Sequence, residues 1–309
     1  MQFIDLAAQQ APIREKIEAR IKAVLDHGRY IMGPEVNELE ENLAEYVGVK
    51  HCISCSSGTD ALLIPLMAQG IGPGDAVITT PFTYIATAEV ISLLGATPVF
   101  CDICPDTFNI NPDGLQNAYD DALSKNLTPR AIIPVDLFGL PACYSLIDEF
   151  ARDHDLFILE DAAQGFGGSI RGQKAGSFGH VAATSFFPAK PLGCYGDGGA
   201  IFSNDDGLAE AMKSMRVHGA GIDKYDNNRL GINGRLDTLQ AAILLEKLAI
   251  FDNELEKRNQ AAAYYTDNLH DSFTAPFVPD DYFSSWAQYS ILAGTKEHRD
   301  EIIKKLKEQ

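Results

Sequence analysis

The sequence predicts an α/β protein built around a mainly parallel sheet, and three observations carry that expectation. Short apolar runs alternate with longer amphipathic stretches between residues 51 and 160, a strand-helix-strand rhythm whose crossovers are right-handed and leave the sheet covered on both faces. An apolar share of 46% supplies a packed core, and a charged share of 22% argues against disorder. At 309 residues the chain exceeds one ordinary domain, so a large domain with part of a second is expected.

The strands are expected at 51–55 (HCISC), 75–79 (DAVIT), 97–101 (TPVFC), 131–135 (AIIPV) and 156–160 (LFILE), with helices near 59–69, 83–94, 112–124 and 143–153. Pro65 inside the first helix should kink its second turn. After residue 177 the pattern changes, because HVAATSFFP and GGAIFSN read as two strands joined by a Pro/Gly-rich loop rather than by a helix. Helices resume at 205–217 and 236–270, the second long enough to run from one domain into another. A Pro-containing linker, TAPFVPDD, then leads to one strand (WAQYSILA) and one charged helix over 296–308. One strand and one helix cannot close a core. The expected division is therefore a large domain over 1–250 and a partial C-terminal α+β domain over 251–309, with the chain stopping inside it.

Lys plus Arg number 25 against 43 for Asp plus Glu, a net charge of −18, the wrong sign for coating nucleic acid or an anionic membrane. Any anionic substrate must be held by a few placed cations. The amino terminus has neither the basic start nor the apolar core of a signal peptide, and no apolar run reaches the ~18 residues of a membrane span, so a cytoplasmic chain with free thiols is expected. Two C-x-x-C pairs, Cys52/Cys55 and Cys101/Cys104, raise zinc as an alternative. Cys52 and Cys55 look like part of a buried strand in which positions three apart face opposite sides, so core thiols and no metal are expected. The dinucleotide G-x-G-x-x-G, the phosphate loop G-x-x-x-x-G-K-[ST] and H-E-x-x-H are all missing.

Three segments at strand ends carry candidate chemistry, since ligands of such sheets bind at the carboxyl ends of the strands. In Ser56-Ser57-Gly58-Thr59-Asp60, small residues opening a helix suit a phosphate at its positive end, although local sequence alone favours a plain N-cap. In LFILEDAAQ an apolar strand delivers a carboxylate to the ligand edge, and because Glu160 and Asp161 point opposite ways only one enters the site; a capping aspartate is the alternative. In SFFPAKPLG, Lys190 lies before Pro191, which favours an extended backbone there, and apolar neighbours would desolvate its ammonium as an imine-forming lysine requires. A loop lysine reaching water fits that segment equally well. Taken together, a phosphate site, a carboxylate for a ring nitrogen and a desolvated lysine are the needs of pyridoxal 5′-phosphate.

The stretches FIDL, SSGTDAL, GPGDAVITTPFTYIATAE, EDAAQGFG, TSFFPAKPLGCYGDGGAIFSND, RVHG and GINGRLDTLQAAILLEKL, spanning residues 3 to 250, are long and rare as strings. Through them the sequence resembles the DegT/DnrJ/EryC1/StrS family of pyridoxal phosphate-dependent nucleotide-sugar aminotransferases. The resemblance implies the type I, aspartate aminotransferase-like fold. It implies Lys190 as the Schiff-base lysine, Asp161 as partner of the pyridinium nitrogen, Gln164 at the ring hydroxyl and Tyr84 against the ring. Gly58, Thr59 and Ser185 would hold the phosphate, and Asn233 would reach it from the neighbouring subunit of an obligate homodimer. The implied reaction moves nitrogen from L-glutamate to C3 of a 3-oxo nucleotide sugar, with UDP-2-acetamido-2-deoxy-3-oxo-glucuronate nearest in wording, on the way to O-antigen diaminouronic acids. Arg235, in the segment that the family sends into the partner's site, is the candidate cation for the sugar carboxylate, with an ion pair to Asp237 as the structural alternative. Other oxo sugar nucleotides, and a regulatory protein of the same fold, stay open as alternatives.

Overall fold

The apolar runs do become the sheet, and their lengths and connections decide its order. The computed structural model describes residues 4–221, 223 and 225–308; Phe3 of the FIDL stretch lies outside them. Helices α1 (Leu6–Gln10), α2 (Arg14–His27) and α3 (Pro34–Val47) lead into β1 (His51–Cys55) and α4 (Gly58–Ala68). Then follow β2 (Asp75–Thr79), α5 (Ala86–Leu93), β3 (Thr97–Phe100), α6 (Leu115–Ser124), β4 (Thr128–Ile133), α7 (Tyr144–Asp153) and β5 (Phe157–Asp161). The short β6 (Ser169–Ile170) and β7 (Gln173–Lys174) precede β8 (Val181–Ser185), β9 (Gly199–Ser203), α8 (Asp206–Met215) and α9 (Thr238–Asn268). The chain closes with β10 (Phe273–Thr274), β11 (Tyr282–Phe283), β12 (Leu292–Ala293) and α10 (Lys296–Lys307).

Seven strands form the central sheet in the order β1-β9-β8-β5-β4-β2-β3. The pairs from β8 to β3 are parallel, whereas β9 runs antiparallel to both β8 and β1. The loop over 186–198 explains the reversal, because it contains no helix to return the chain for a parallel crossover. Helices cover both faces. One apolar cluster joins Ile53, Cys55, Ile64 and Val90, and another joins Leu39, Cys52, Phe202 and Phe251. Cys52 and Cys55 thus bury their thiols in different clusters, and among the described residues no three His, Cys, Asp or Glu side chains converge as metal ligands. No helix among the described residues is long and apolar enough to cross a membrane.

Some elements differ from the sequence expectation. The fourth strand begins at Thr128, whose N–H donates to Gly74 O at 3.0 Å, and ends before Pro134. Residues 58–68 stay one continuous α-helix through Pro65. The expected strand over 286–293 shrinks to Leu292–Ala293, because Trp286 takes a left-handed backbone (φ 48°) and donates its indole N–H to Asn259 Oδ1 at 2.9 Å. The helix α9 runs unbroken across residue 250, with buried side chains as far as Ala262. Beyond it, β11 pairs with β6, so part of the C-terminal segment completes a small three-stranded sheet.

Candidate active site

The carboxyl ends of β1, β5 and β8 meet around one cavity of about 450 Å³. At the first of them, Ser57 caps α4, its Oγ accepting from Asp60 N at 3.0 Å. Gly58 and Thr59 follow as the first helical residues, whose N–H groups have no carbonyl one turn back to bond. A Cβ at Gly58 would stand 2.6 Å from Ser185 Cβ, so only glycine lets the positive helix end press against the end of β8. The N-cap and the ligand-facing turn are thus the same structure. Gly58, Thr59 and Ser185 all line the cavity.

At the end of β5 the two adjacent carboxylates separate as the strand pleat requires. Glu160 turns to the backbone N–H groups of Gly176 and Phe178, at 2.6 and 2.8 Å. Asp161 enters the cavity, where Thr87 Oγ1 donates to its Oδ2 at 2.9 Å and Ala163 N donates to its Oδ1 at 3.2 Å. Burial pushes the Asp161 carboxyl above the usual range, opposed by the Thr87 and Ala163 hydrogen bonds and by the charge of Lys190. The ammonium of Lys190 is pushed down by burial, opposed by Asp161. Lys190 ends a tight turn. Its N–H donates to Phe187 O at 2.8 Å, closing a turn with Pro188 inside it, and this turn carries the side chain to the cavity.

Gln164 and Tyr84 complete the wall. Phe138 N donates to Gln164 Oε1 at 2.8 Å; since a backbone N–H only donates, the amide oxygen is fixed there and the NH2 group is left to donate elsewhere. Tyr84 is 68% exposed and Phe187 52% exposed, so the cavity mouth is an apolar rim open to the outside in the single chain. Seven of the nine expected site residues therefore share one cavity. Asn233 and Arg235 lie outside it. The Arg235 guanidinium donates through Nε and Nη2 to Asn233 Oδ1, at 3.0 and 2.7 Å, in place of the ion pair with Asp237.

The sequence reading missed Thr87, which sits one helical turn after Thr83 and hydrogen-bonds to it at 2.9 Å. Its signal was a hydroxyl in the first turn of a helix that starts beside a ligand-bearing strand end, inside the TYIATAE stretch. Gln288 and Ala287, also in the wall, come from the segment whose strand does not form, and no local pattern marks them.

The sequence profile of the DegT/DnrJ/EryC1/StrS aminotransferase family matches residues 11–309. The UDP-2-acetamido-2-deoxy-3-oxo-D-glucuronate aminotransferase of Pseudomonas aeruginosa is 51% identical over 300 residues, covering 96% of this chain and 81% of its own. A DegT DnrJ EryC1 StrS aminotransferase from Brucella abortus superposes with a TM-score of 0.94 at 54% identity, over 96% of this chain and 80% of that one. The structure of ntda from Bacillus subtilis, solved with bound cofactor pmp, gives a TM-score of 0.89 at 30% identity, over 99% and 69% of the two chains.

Replacing Thr87 by Val removes a donor to a buried carboxylate while keeping the side-chain shape. A hydrogen bond to a charged group is worth ~1.5–3 kcal/mol, so Thr87→Val should weaken pyridoxal phosphate binding by about tenfold or more in a spectrophotometric titration of the cofactor-free protein. Unchanged affinity would show that Asp161 does not depend on this contact.

Proposed function

The chain belongs to the DegT/DnrJ/EryC1/StrS aminotransferase family and is a pyridoxal phosphate-dependent aminotransferase; from that premise we propose that it transfers nitrogen from L-glutamate to C3 of UDP-2-acetamido-2-deoxy-3-oxo-glucuronate in a ping-pong sequence. The observation that carries the substrate is the 51% identity, across 96% of this chain, to a relative named for it. We place the reaction in the cytoplasm, where nucleotide sugars and glutamate meet.

The residues around the cavity fit the cofactor by the chemistry of their donors. The free N–H groups of Gly58 and Thr59 and the Ser185 hydroxyl are the phosphate holders, and Tyr84 flanks the ring. The Gln164 NH2 group, turned away from its anchor on Phe138, donates to the ring hydroxyl. Bound there, the cofactor supplies a protonated ring that draws electrons from the carbon losing its proton. Asp161 would hold that ring proton, and Thr87, Ala163 N and Lys190 favour its charged form against the effect of burial. Lys190 Nζ would hold the cofactor and, as a neutral amine, would carry the proton to be moved. Its lowered affinity for a proton suits a base, and positioned proton transfer of this kind contributes ~10²–10⁴ in rate.

A homodimer with shared sites is part of the same proposal. The backbone on both sides of Asn233 is tied down, His218 N donating to Ile232 O at 2.9 Å and Ser56 N to Gly234 O at 3.0 Å, while its side chain is exposed. With Oδ1 held by Arg235, the Asn233 NH2 group is the one free to donate to a neighbour's phosphate. That bond gives Arg235 two readings. It grips the sugar carboxylate, or it orients Asn233.

A mass-spectrometric screen of 3-oxo and 4-oxo UDP- and dTDP-sugars, with glutamate as donor, tests the function. The 3-oxo-glucuronate should be aminated fastest; preference for a 4-oxo sugar would contradict the assignment. Under the carboxylate reading Arg235→Ala raises the Michaelis constant for the uronate alone, with a loss in kcat/KM of ~1.5–3 kcal/mol for a charged hydrogen bond. Equal losses in both half-reactions would favour the orienting role.

Mixing inactive Lys190→Ala with inactive Asn233→Ala should restore activity through hybrid dimers that hold one intact site. No recovery after confirmed subunit exchange would count against shared sites.

A further inference from the structure

Behind Asp161 lies a second pair of acids that the reaction does not use. Asp136, in the loop after β4, and Glu160, in β5, are both fully buried, and among the described residues neither has an ion-pair partner. Three of their four oxygens are accounted for. Glu160 accepts from Gly176 N and Phe178 N, one on each oxygen, and Asp136 Oδ1 accepts from Ala142 N and the Tyr144 hydroxyl, both at 2.9 Å. The fourth, Asp136 Oδ2, is buried without any donor. Gly165 covers it so closely that a Cβ there would stand 2.6 Å away. The group within hydrogen-bonding reach of Asp136 is the Glu160 carboxyl.

We infer that Asp136 and Glu160 share a single proton in a hydrogen bond between Asp136 Oδ2 and the Glu160 carboxyl, and that this closed acid pair is the brace that positions Asp161 and Gln164 for the cofactor. Two buried carboxylates in contact cannot both ionise without a cation, whereas one proton converts repulsion into a hydrogen bond. The oxygen count places the proton at the contact, since every other oxygen of the pair already faces an N–H or O–H donor and Asp136 Oδ2 faces none. Burial pushes both acids upward in the same sense, and the other titratable groups bearing on the pair are themselves acids: Asp161, Tyr144 and Tyr282.

The link to the site is short. Asp136 N donates to Asp161 O, and Asp161 N to Pro134 O, at 3.0 and 2.9 Å. By tying down Ala142 N, the Asp136 carboxylate closes a loop that passes through left-handed Phe138 (φ 59°) and Gly139 (φ 113°), and Phe138 N is the anchor of Gln164. These are positioning residues, and their effect on cofactor binding rests on the function proposed above.

The test compares Asp136→Asn, Asp136→Ala and Glu160→Gln. Asparagine places an NH2 donor at the Oδ2 position, where it can bond the Glu160 carboxylate without the shared proton, so Asp136→Asn should fold, keep cofactor affinity and lose one protonated-carboxyl band from the infrared spectrum at neutral pH. Glu160→Gln sets an amide NH2 against a backbone N–H and should weaken cofactor binding by about tenfold or more, as should Asp136→Ala. Linkage gives an independent readout. A native acid whose proton affinity is raised contributes stability that is full below the unfolded value of about 4 and lost as pH rises through the raised native value, about 7 for Asp136, so the melting temperature should fall as pH rises from about 4 through about 7, less steeply in Asp136→Asn. If no band is lost, or if Asp136→Asn misfolds or is as damaged as Asp136→Ala, the shared proton is refuted. Infrared and melting measurements need no sugar substrate, so failure of the aminotransfer reading, seen as no turnover by the unaltered protein, is a separate result.

Discussion

A carboxyl group held almost wholly buried at the edge of a cavity is the constraint around which this molecule is organised. Burying a charge without partners costs several kcal/mol, and Asp161 meets that cost with two hydrogen bonds and the nearby charge of Lys190 rather than with a direct ion pair. Each contribution comes from a different element. Thr87 requires the first turn of α5, Ala163 the loop leaving β5, and Lys190 the turn between β8 and β9. The strand order places β4 and β8 on either side of β5, so Pro134, Asp136 and Ser185 converge on the same edge. The sheet is therefore arranged to hold one acid in a dry place.

The same need separates two lysines that look alike by burial. Lys247, on α9, is 2% exposed, its Nζ has no hydrogen-bond partner, and burial pulls its ammonium down to about 8. Yet it does not line the cavity, and the acid that bears on it is Glu254 rather than Asp161. Desolvation alone does not make a functional amine. Lys190 differs by facing the cavity together with an acid, an amide donor and a helix end. In a chain of net charge −18 such a local arrangement, and not the overall field, must attract an anionic cofactor.

Much of this was legible in the sequence because buried parallel strands read as unbroken apolar runs. LFILED located both the central strand and its terminal acid, and the helix-free stretch after SFFP marked the point where the sheet reverses. The rest was hidden for physical reasons. The turn that ends at Lys190 depends on a hydrogen bond from residue 190 to residue 187, which no local residue pattern marks. WAQYSILA has the apolar content of a strand, but Trp286 finds a better partner in Asn259. Thr87 and the Asp136–Glu160 contact depend on side chains 74 and 24 residues from the acids they serve, and no periodicity records such distances.

The most direct test of the account is where the cofactor attaches. Borohydride reduction of the purified protein, followed by proteolysis and peptide mass spectrometry, should place the cofactor's mass on the peptide containing Lys190 and leave Lys190→Ala unlabelled. Label on the Lys247 peptide, or persisting in Lys190→Ala, would contradict the claim that the Asp161 cavity selects this lysine.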